Sequence, residues 1–284
     1  MLAAASPLTQ QWQRMTVAAR PVPGESAVLD RAATENFSVA SLVLGRETRD
    51  HLLAIYGFAR LVDQLGDDVE GDRLAQLDWL EEELDRVYEG EPEHPLMRRL
   101  APTVRALALP RSAFVRLIEA NRRDQRQAAY ATFDELVDYC DLSANPVGEL
   151  VLHVFGVATP ARIAQSDAVC TALQLLEHWQ DVHEDYERGR VYLPAEDLER
   201  FGVAAGAFDG DAYARLLAFE IGRARALLDE GAPLVGTLRG RARLAVAGYV
   251  GGGRAGLNAL ERGSRKASKP ARVVATLRTL VRGR

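Results

Sequence analysis

Tyr56-Gly-Phe-Ala-Arg60-Leu-Val-Asp63-Gln-Leu-Gly-Asp67-Asp68 is one of two matched stretches; the other is Gln174-Leu-Leu-Glu177-His-Trp-Gln-Asp181-Val-His-Glu-Asp185. Each carries two Asp four residues apart, with polar residues one and two turns upstream. At about 3.6 residues per turn, positions i, i+4, i+7 and i+11 share one narrow stripe of a helix. Tyr56, Arg60, Asp63 and Asp67 therefore fall on one face, and Gln174, Glu177, Asp181 and Asp185 on another. Two such stripes facing each other across a helical core make a cage of carboxylates. Carboxylate oxygens and water suit Mg²⁺, which usually completes its shell with substrate phosphate. The pattern points to chemistry on a diphosphate. Acids at the C-terminal half of a helix oppose the macrodipole, so a cationic partner is expected at both places.

The surrounding sequence is helical in period. Pro and Gly clusters such as Gly90-Glu-Pro92 and Ala108-Leu-Pro110 punctuate it, and convincing alternating strands are absent. The spacing predicts helices at 28–44, 47–68, 73–89, 95–107, 111–129, 133–156, 161–187, 211–230, 238–262 and 270–282. The expected fold is all-α: a single-domain helical bundle around a central cavity, spanning 27–284 behind a poorly ordered lead at 1–26. Glu81-Glu82-Glu83 reads as the exposed face of an amphipathic helix. Gly251-Gly-Gly253 lacks the Lys-Ser/Thr of a phosphate loop and reads as a kink or a close packing point.

Composition narrows the function. A net charge of −5 argues against nucleic acid as a partner. Two cysteines fit a reducing cytosol. The His residues show no metal-ligand spacing, since His178 and His183 do not share a helix face. The first residues lack the basic and apolar regions of a signal peptide, and no apolar run reaches the length of a membrane span. The expected location is the cytoplasm. From Arg262 to Arg284 there are eight Lys or Arg and no acid, with Val273, Val274, Leu277, Leu280 and Val281 on one apolar face. This basic amphipathic segment, 262–284, is read in two compatible ways: a helix docked on the bundle, or one that touches the inner face of a membrane.

These residues resemble the squalene/phytoene synthase family of head-to-head prenyl synthases, over roughly residues 30 to 275. The first signature matches Tyr56 through Asp67. The second matches Asp181-Val-His-Glu-Asp185-Tyr-Glu-Arg-Gly-Arg190-Val-Tyr192-Leu-Pro194. Glu35-Asn-Phe-Ser-Val-Ala-Ser41, Tyr139-Cys-Asp-Leu-Ser-Ala-Asn-Pro-Val-Gly148 and Trp179-Gln-Asp181 are similar to the bacterial hydroxysqualene synthase branch. The resemblance implies a Mg²⁺-dependent enzyme, with several ions and no NADPH. Its substrate would be presqualene diphosphate, its products hydroxysqualene and diphosphate, on the route to squalene and hopanoids. A presqualene diphosphate synthase would precede it and a flavin-dependent oxidoreductase follow it. It implies metal-binding acids at Asp63, Asp67, Asp181 and Asp185, with Glu177 where the family usually has Asn. It implies functional roles for Tyr56, Arg60, Gln174, Arg190 and Tyr192, and pocket positions at Phe37, Tyr139, Gly148 and Tyr249. Gln180 and Asn36 depart from the Arg and Ser of many members. Asn36 and Asn145 are candidates to position the captured water; the alternative for each is a hydrogen bond to its neighbours. The alternatives to this activity are a phytoene synthase, a one-step squalene synthase, and a non-catalytic assembly factor of the same family. Retention of the four Asp argues against the last.

Overall fold

A computed structural model describes residues 44–68 and 71–283. The expected lead at 1–26, the helix at 28–44, and with them Asn36 and Phe37, lie outside the described residues. The described chain is all-α, with one isolated parallel bridge, Ala129 to Val191, and no strands among the described residues. Its helices are α1 Arg46–Asp67, α2 Arg73–Glu89, α3 Pro95–Leu107, α4 Arg111–Asp124, α5 Phe133–Ser143, α6 Asn145–Val154, α7 Pro160–Gln180, α8 Val182–Glu187, α9 Ala195–Phe201, α10 Gly210–Gly231, α11 Leu234–Thr237, α12 Gly240–Glu261 and α13 Lys269–Arg282.

Helix starts follow local chemistry. Asp72, Thr132, Thr159 and Ser268 each accept a hydrogen bond from the N–H three residues on, which satisfies one of the orphan donors of the first turn. Pro95 and Pro160 open their helices, where a missing N–H costs nothing. Gly202 closes α9 in the left-handed region, at φ 68°, which a side chain would resist.

Two expected helices are each broken in the structure. The helix expected over 133–156 parts at Ala144 (φ −116°, ψ −45°), between α5 and α6. Pro146 has no N–H for the carbonyl four residues back, and its ring crowds that carbonyl. The helix expected over 161–187 parts at Asp181, whose ψ of 14° leaves the helical range between α7 and α8. Two short helices, α9 and α11, escape the periodicity because neither is long enough to repeat it. The helix expected to reach 129 stops at Asp124.

Two apolar cores result. One gathers around α1 to α4, with Phe58 and Phe114 edge-to-face at 4.9 Å between centroids. Full burial of such side chains stabilises by about 1.5–3 kcal/mol each. The other gathers around α5, α7, α10 and α12. Helix α6 joins them: Leu150, Val151 and Val154 enter the first core and Leu152 the second, while α6 itself packs on α1, α4, α5 and α7. The alternation is what a helix apolar on most faces must do, and the cavity lies between the two halves it joins.

Glu83 corrects the reading of an exposed acidic face. It is fully buried, accepting the N–H groups of Glu93 (2.9 Å) and His94 (2.8 Å) and pairing with Arg86. Its carboxylate serves the incoming turn before α3. Gly251 and Gly253 pack closely rather than kink. A Cβ on Gly251 would stand 2.5 Å from the backbone nitrogen of Thr276 in α13, and one on Gly253 would stand 2.8 Å from Leu173.

Candidate active site

The two acidic helices meet at one cavity of about 330 Å³, near the lower end of the roughly 300–1,000 Å³ typical of small-molecule sites. Helix α1 presents Asp63 and Asp67, and α7 presents Gln174 and Glu177. Asp185 enters from α8, and Arg190 and Tyr192 from the segment after it; Tyr139 comes from α5. Eight residues singled out in the sequence thus share one lining. The bend at Asp181 splits the expected second stripe. Glu177 and Asp185 stay at the cavity, while the Asp181 carboxylate turns to Arg265, at 2.8 Å.

The other predicted residues stand off the lining. Arg60 lies a turn from it and meets Asp63 at 3.8 Å; Tyr56 is half-buried on the same helix. Asn145 is buried, accepting a hydrogen bond from Thr171 Oγ1 (3.1 Å) and donating to Asp141 (3.3 Å). Its bonds to neighbours are the alternative to a water-positioning role. Gly148 is a contact point between helices: a Cβ there would fall 2.4 Å from Ser166 Oγ and 2.5 Å from Cys170 Sγ. Tyr249 packs against the second core.

The expected cationic partners are present. Arg190 spans 123 residues of sequence to donate to Asp67 Oδ1 at 2.6 Å, and Arg73 donates to the Asp67 carbonyl at 2.8 Å. Arg265 bridges Asp181 and Glu184, at 2.8 and 2.9 Å. These charge-assisted bonds neutralise acids that the macrodipole disfavours.

Among the lining residues that sequence reasoning did not single out, Asp124, Asn121 and His178 make the most specific contacts. Asp124, at the end of α4, accepts the Tyr139 hydroxyl hydrogen at 2.7 Å. Burial pushes its carboxyl up to about 6, against the pull of the Tyr139 bond and Arg190. Asn121, one turn earlier, donates to the Leu117 carbonyl at 3.4 Å, and its side-chain amide favours the charged form of Asp63. His178 stacks on Tyr192 with ring centres 3.7 Å apart and planes 13° apart. Its Nε2 lies 3.1 Å from Gln174 Nε2, and its Nδ1 lies 3.9 Å from Asp185. Burial holds the imidazole below its ordinary pKa although Asp185 pulls the other way. Tyr139 and Tyr130 extend this stack, 5.7 and 5.8 Å from Tyr192. The only sequence signal was Asn121 and Asp124 at i and i+3, hidden in an otherwise charged helix.

Asp63 faces the cavity with its side chain 52% exposed, and partial desolvation by the protein around it raises its carboxyl to about 6; Arg60 opposes this and Asp67 reinforces it. Five carboxyl groups (Asp63, Asp67, Asp124, Glu177, Asp185) and two guanidinium groups (Arg188, Arg190) line the cavity. Among the described residues no three of these acids converge as a ready-made metal cluster. Mg²⁺ keeps waters and takes one or two carboxylates plus substrate phosphate. The donor chemistry and the surplus of negative charge fit such an ion.

The fold is shared with solved structures of a squalene synthase and a dehydrosqualene synthase. The squalene synthase HpnC of Alicyclobacillus acidocaldarius superposes with a TM-score of 0.79 at 45% identity, over 84% of this chain and 93% of that one. A dehydrosqualene synthase crystallised with a ligand gives 0.80 at 24% identity, over 96% and 98%, a likeness of fold. A sequence model of squalene/phytoene synthase matches residues 30–279, and the chain belongs to that family, whose members act on prenyl diphosphates. It is 36% identical over 213 residues to the hydroxysqualene synthase of Rhodopseudomonas palustris, 72% of each chain. It is 38% identical over 176 residues to that of Zymomonas mobilis, where the match spans 61% of this chain and 59% of the relative. A phytoene synthase of Mycobacterium tuberculosis is 32% identical over 205 residues, 69% of this chain and 67% of the relative. Among the described residues no helix is long and apolar enough to cross a membrane.

Proposed function

We propose that this chain is a hydroxysqualene synthase, converting presqualene diphosphate and water to hydroxysqualene and diphosphate. One observation carries the reading: carboxylates from α1 and from α7–α8 line one cavity, and Arg190 reaches from the second motif to Asp67 of the first. The hydroxysqualene synthases among its relatives support the choice of product.

On this reading Asp63, Asp67, Glu177 and Asp185 would hold Mg²⁺, with Asp181, paired with Arg265 here, as the further acid of the second motif. Bound Mg²⁺ supplies Lewis-acid stabilisation of the leaving diphosphate oxygen. Arg190 offers charge-assisted hydrogen bonds to the departing diphosphate, and Arg60 adds positive charge beside Asp63. Burial favours the neutral form of His178, whose Nε2 faces Gln174 Nε2, so the stacked imidazole adds no positive charge beside a carbocation. The faces of Tyr139 and Tyr192 stabilise the cyclopropylcarbinyl cation left by ionisation. Tyr56, Tyr249, Gly148 and Asn145 support the pocket from outside its lining, and Asn36 and Phe37 are assigned to it by the resemblance alone. Water then adds to the rearranged cation: a C–O bond forms and the proton leaves to solvent or a cavity base. No NADPH is consumed, because no hydride is delivered. An upstream synthase supplies presqualene diphosphate, and a flavin-dependent oxidoreductase takes the alcohol on, in the cytoplasm.

Product analysis by mass spectrometry tests the reading. Purified protein with Mg²⁺ should make hydroxysqualene from presqualene diphosphate without NADPH, and chelation should stop it. Phytoene from geranylgeranyl diphosphate, with no hydroxysqualene, would favour the second reading, a phytoene synthase, which the 32% identity to the mycobacterial enzyme keeps open. Squalene formed only with NADPH would indicate the one-step reaction. No turnover on any substrate would favour an assembly role.

A further inference from the structure

Helix α13 is fixed by one face and bare on the other. Its inner face meets α12 backbone to backbone at Gly251 and Thr276. Thr279 is buried there and accepts from Arg254 at 3.3 Å, while Arg243 donates to the Leu280 carbonyl at 2.8 Å. The outer face carries Val273, Val274, Leu277 and Val281, exposed by 53, 45, 56 and 87%. These positions, i, i+1, i+4 and i+8, make one continuous stripe. Four of the five large hydrophobic side chains exposed on the described surface therefore lie on this one helix. Isolated exposed apolar residues need no explanation, but a contiguous stripe does.

Charge selects what covers it. Lys266, Lys269, Arg278 and Arg282 are exposed on the same helix and its approach, and no acid occurs between Arg262 and Gly283, in a chain of net charge −5. A second copy meeting this face across a two-fold axis would set the same cations against themselves. An apolar stripe flanked by Lys and Arg, with no spanning length, is the pattern of a helix lying in a lipid interface. We propose that α13 lays this stripe on an anionic membrane surface. The consequence is positional. Arg265, three residues before the cap Ser268, holds Asp181 and Glu184 of the second acidic motif. Docking α13 therefore brings that edge of the active-site region to the lipid, where a long prenyl substrate and product would partition. The inference stands on the helix alone and does not depend on which prenyl diphosphate the cavity takes.

The test is sedimentation of the full chain with vesicles of phosphatidylcholine alone and of phosphatidylcholine with phosphatidylglycerol. Binding to the anionic vesicles should exceed that to the neutral ones at least tenfold and weaken as salt rises. Leu277→Asp with Val281→Asp should reduce anionic binding at least tenfold, and Lys269→Glu with Arg278→Glu should do the same. All four residues are exposed, so both variants should keep the parent's thermal midpoint; Val274→Ser serves as a milder probe of the same stripe. Equal binding to both vesicle types, or no loss in either double variant, would overturn the proposal. So would a parent dimer in sedimentation equilibrium that Leu277→Asp dissociates, which would assign the face to a second copy.

Discussion

Glu220 should make this protein less stable as pH rises through neutrality, and Glu220→Gln should remove the effect. Glu220 of α10 is fully buried beside Asp197 of α9, and one cation, Arg223, serves both. Arg223 pairs closely with Asp197 and more loosely with Glu220, at 3.2 Å, and Glu220 Oε2 has no hydrogen-bond partner. The guanidinium is also stacked over Phe133 and Phe219, 4.3 Å from each ring centre, so it cannot move to favour the second acid. Glu220 therefore keeps the proton. Burial is the main cause that pushes Glu220 up from 4.5 to about 8; Asp197 adds to it and Arg223 opposes it. Between those values the folded chain binds more protons at this site than the unfolded chain does, so stability falls as pH rises. At about 1.36 kcal/mol per pH unit, the loss between pH 5 and 7.5 is about 3 kcal/mol. Gln keeps the size of the side chain and cannot ionise. Urea denaturation of both proteins at pH 5 and pH 7.5 gives the comparison, because other titrating groups cancel in the difference. The variant should gain about 3 kcal/mol on the parent over that interval. Parallel stabilities, with a difference that stays constant, would show that Glu220 ionises alike in both states and would refute the assignment of the proton.

Gly148→Ala should cost about 1–3 kcal/mol by overpacking, and a Ser166→Ala/Cys170→Ala background should recover most of it; an equal cost in both backgrounds in urea titrations would mean the clash lies elsewhere. Asn145→Ala should lower stability by about 1–3 kcal/mol through the stranded, buried Thr171 hydroxyl, with the ratio of alcohol to other products unchanged; a shifted ratio would return Asn145 to the water-positioning role. Asp63→Asn and Asp185→Asn should each lower kcat by about 10²-fold or more, while circular dichroism shows the parent fold; near-parent turnover would remove that carboxylate from the proposed chemistry.

The helical class and the two acidic motifs were legible in the sequence because both are local. A repeat of 3.6 residues in apolar positions is written along the chain, and acids four apart share a face wherever the helix runs. The need for cations at those helix ends was legible too, since it follows from the direction of the backbone dipoles. Which cations answered it was not. Arg190 and Asp67 are 123 residues apart, and only the packing of α6 against both halves brings them to 2.6 Å. The bend at Asp181 was likewise a tertiary decision: no Pro or Gly marks it, yet it turns one carboxylate of an expected stripe away from the cavity and toward Arg265. Glu83 shows the same limit from the other side. Three consecutive acids read as a wet surface until the turn before α3 closes over one of them and gives it two backbone N–H groups. Asp124 and His178 gained their places only when Tyr139 and Tyr192 arrived from other elements to bond and stack with them. Local periodicity determines what each helix is; the long-range contacts of α6 and of the segment after α8 determine which side chains share a cavity, because those pairings depend on packing that no window of sequence contains.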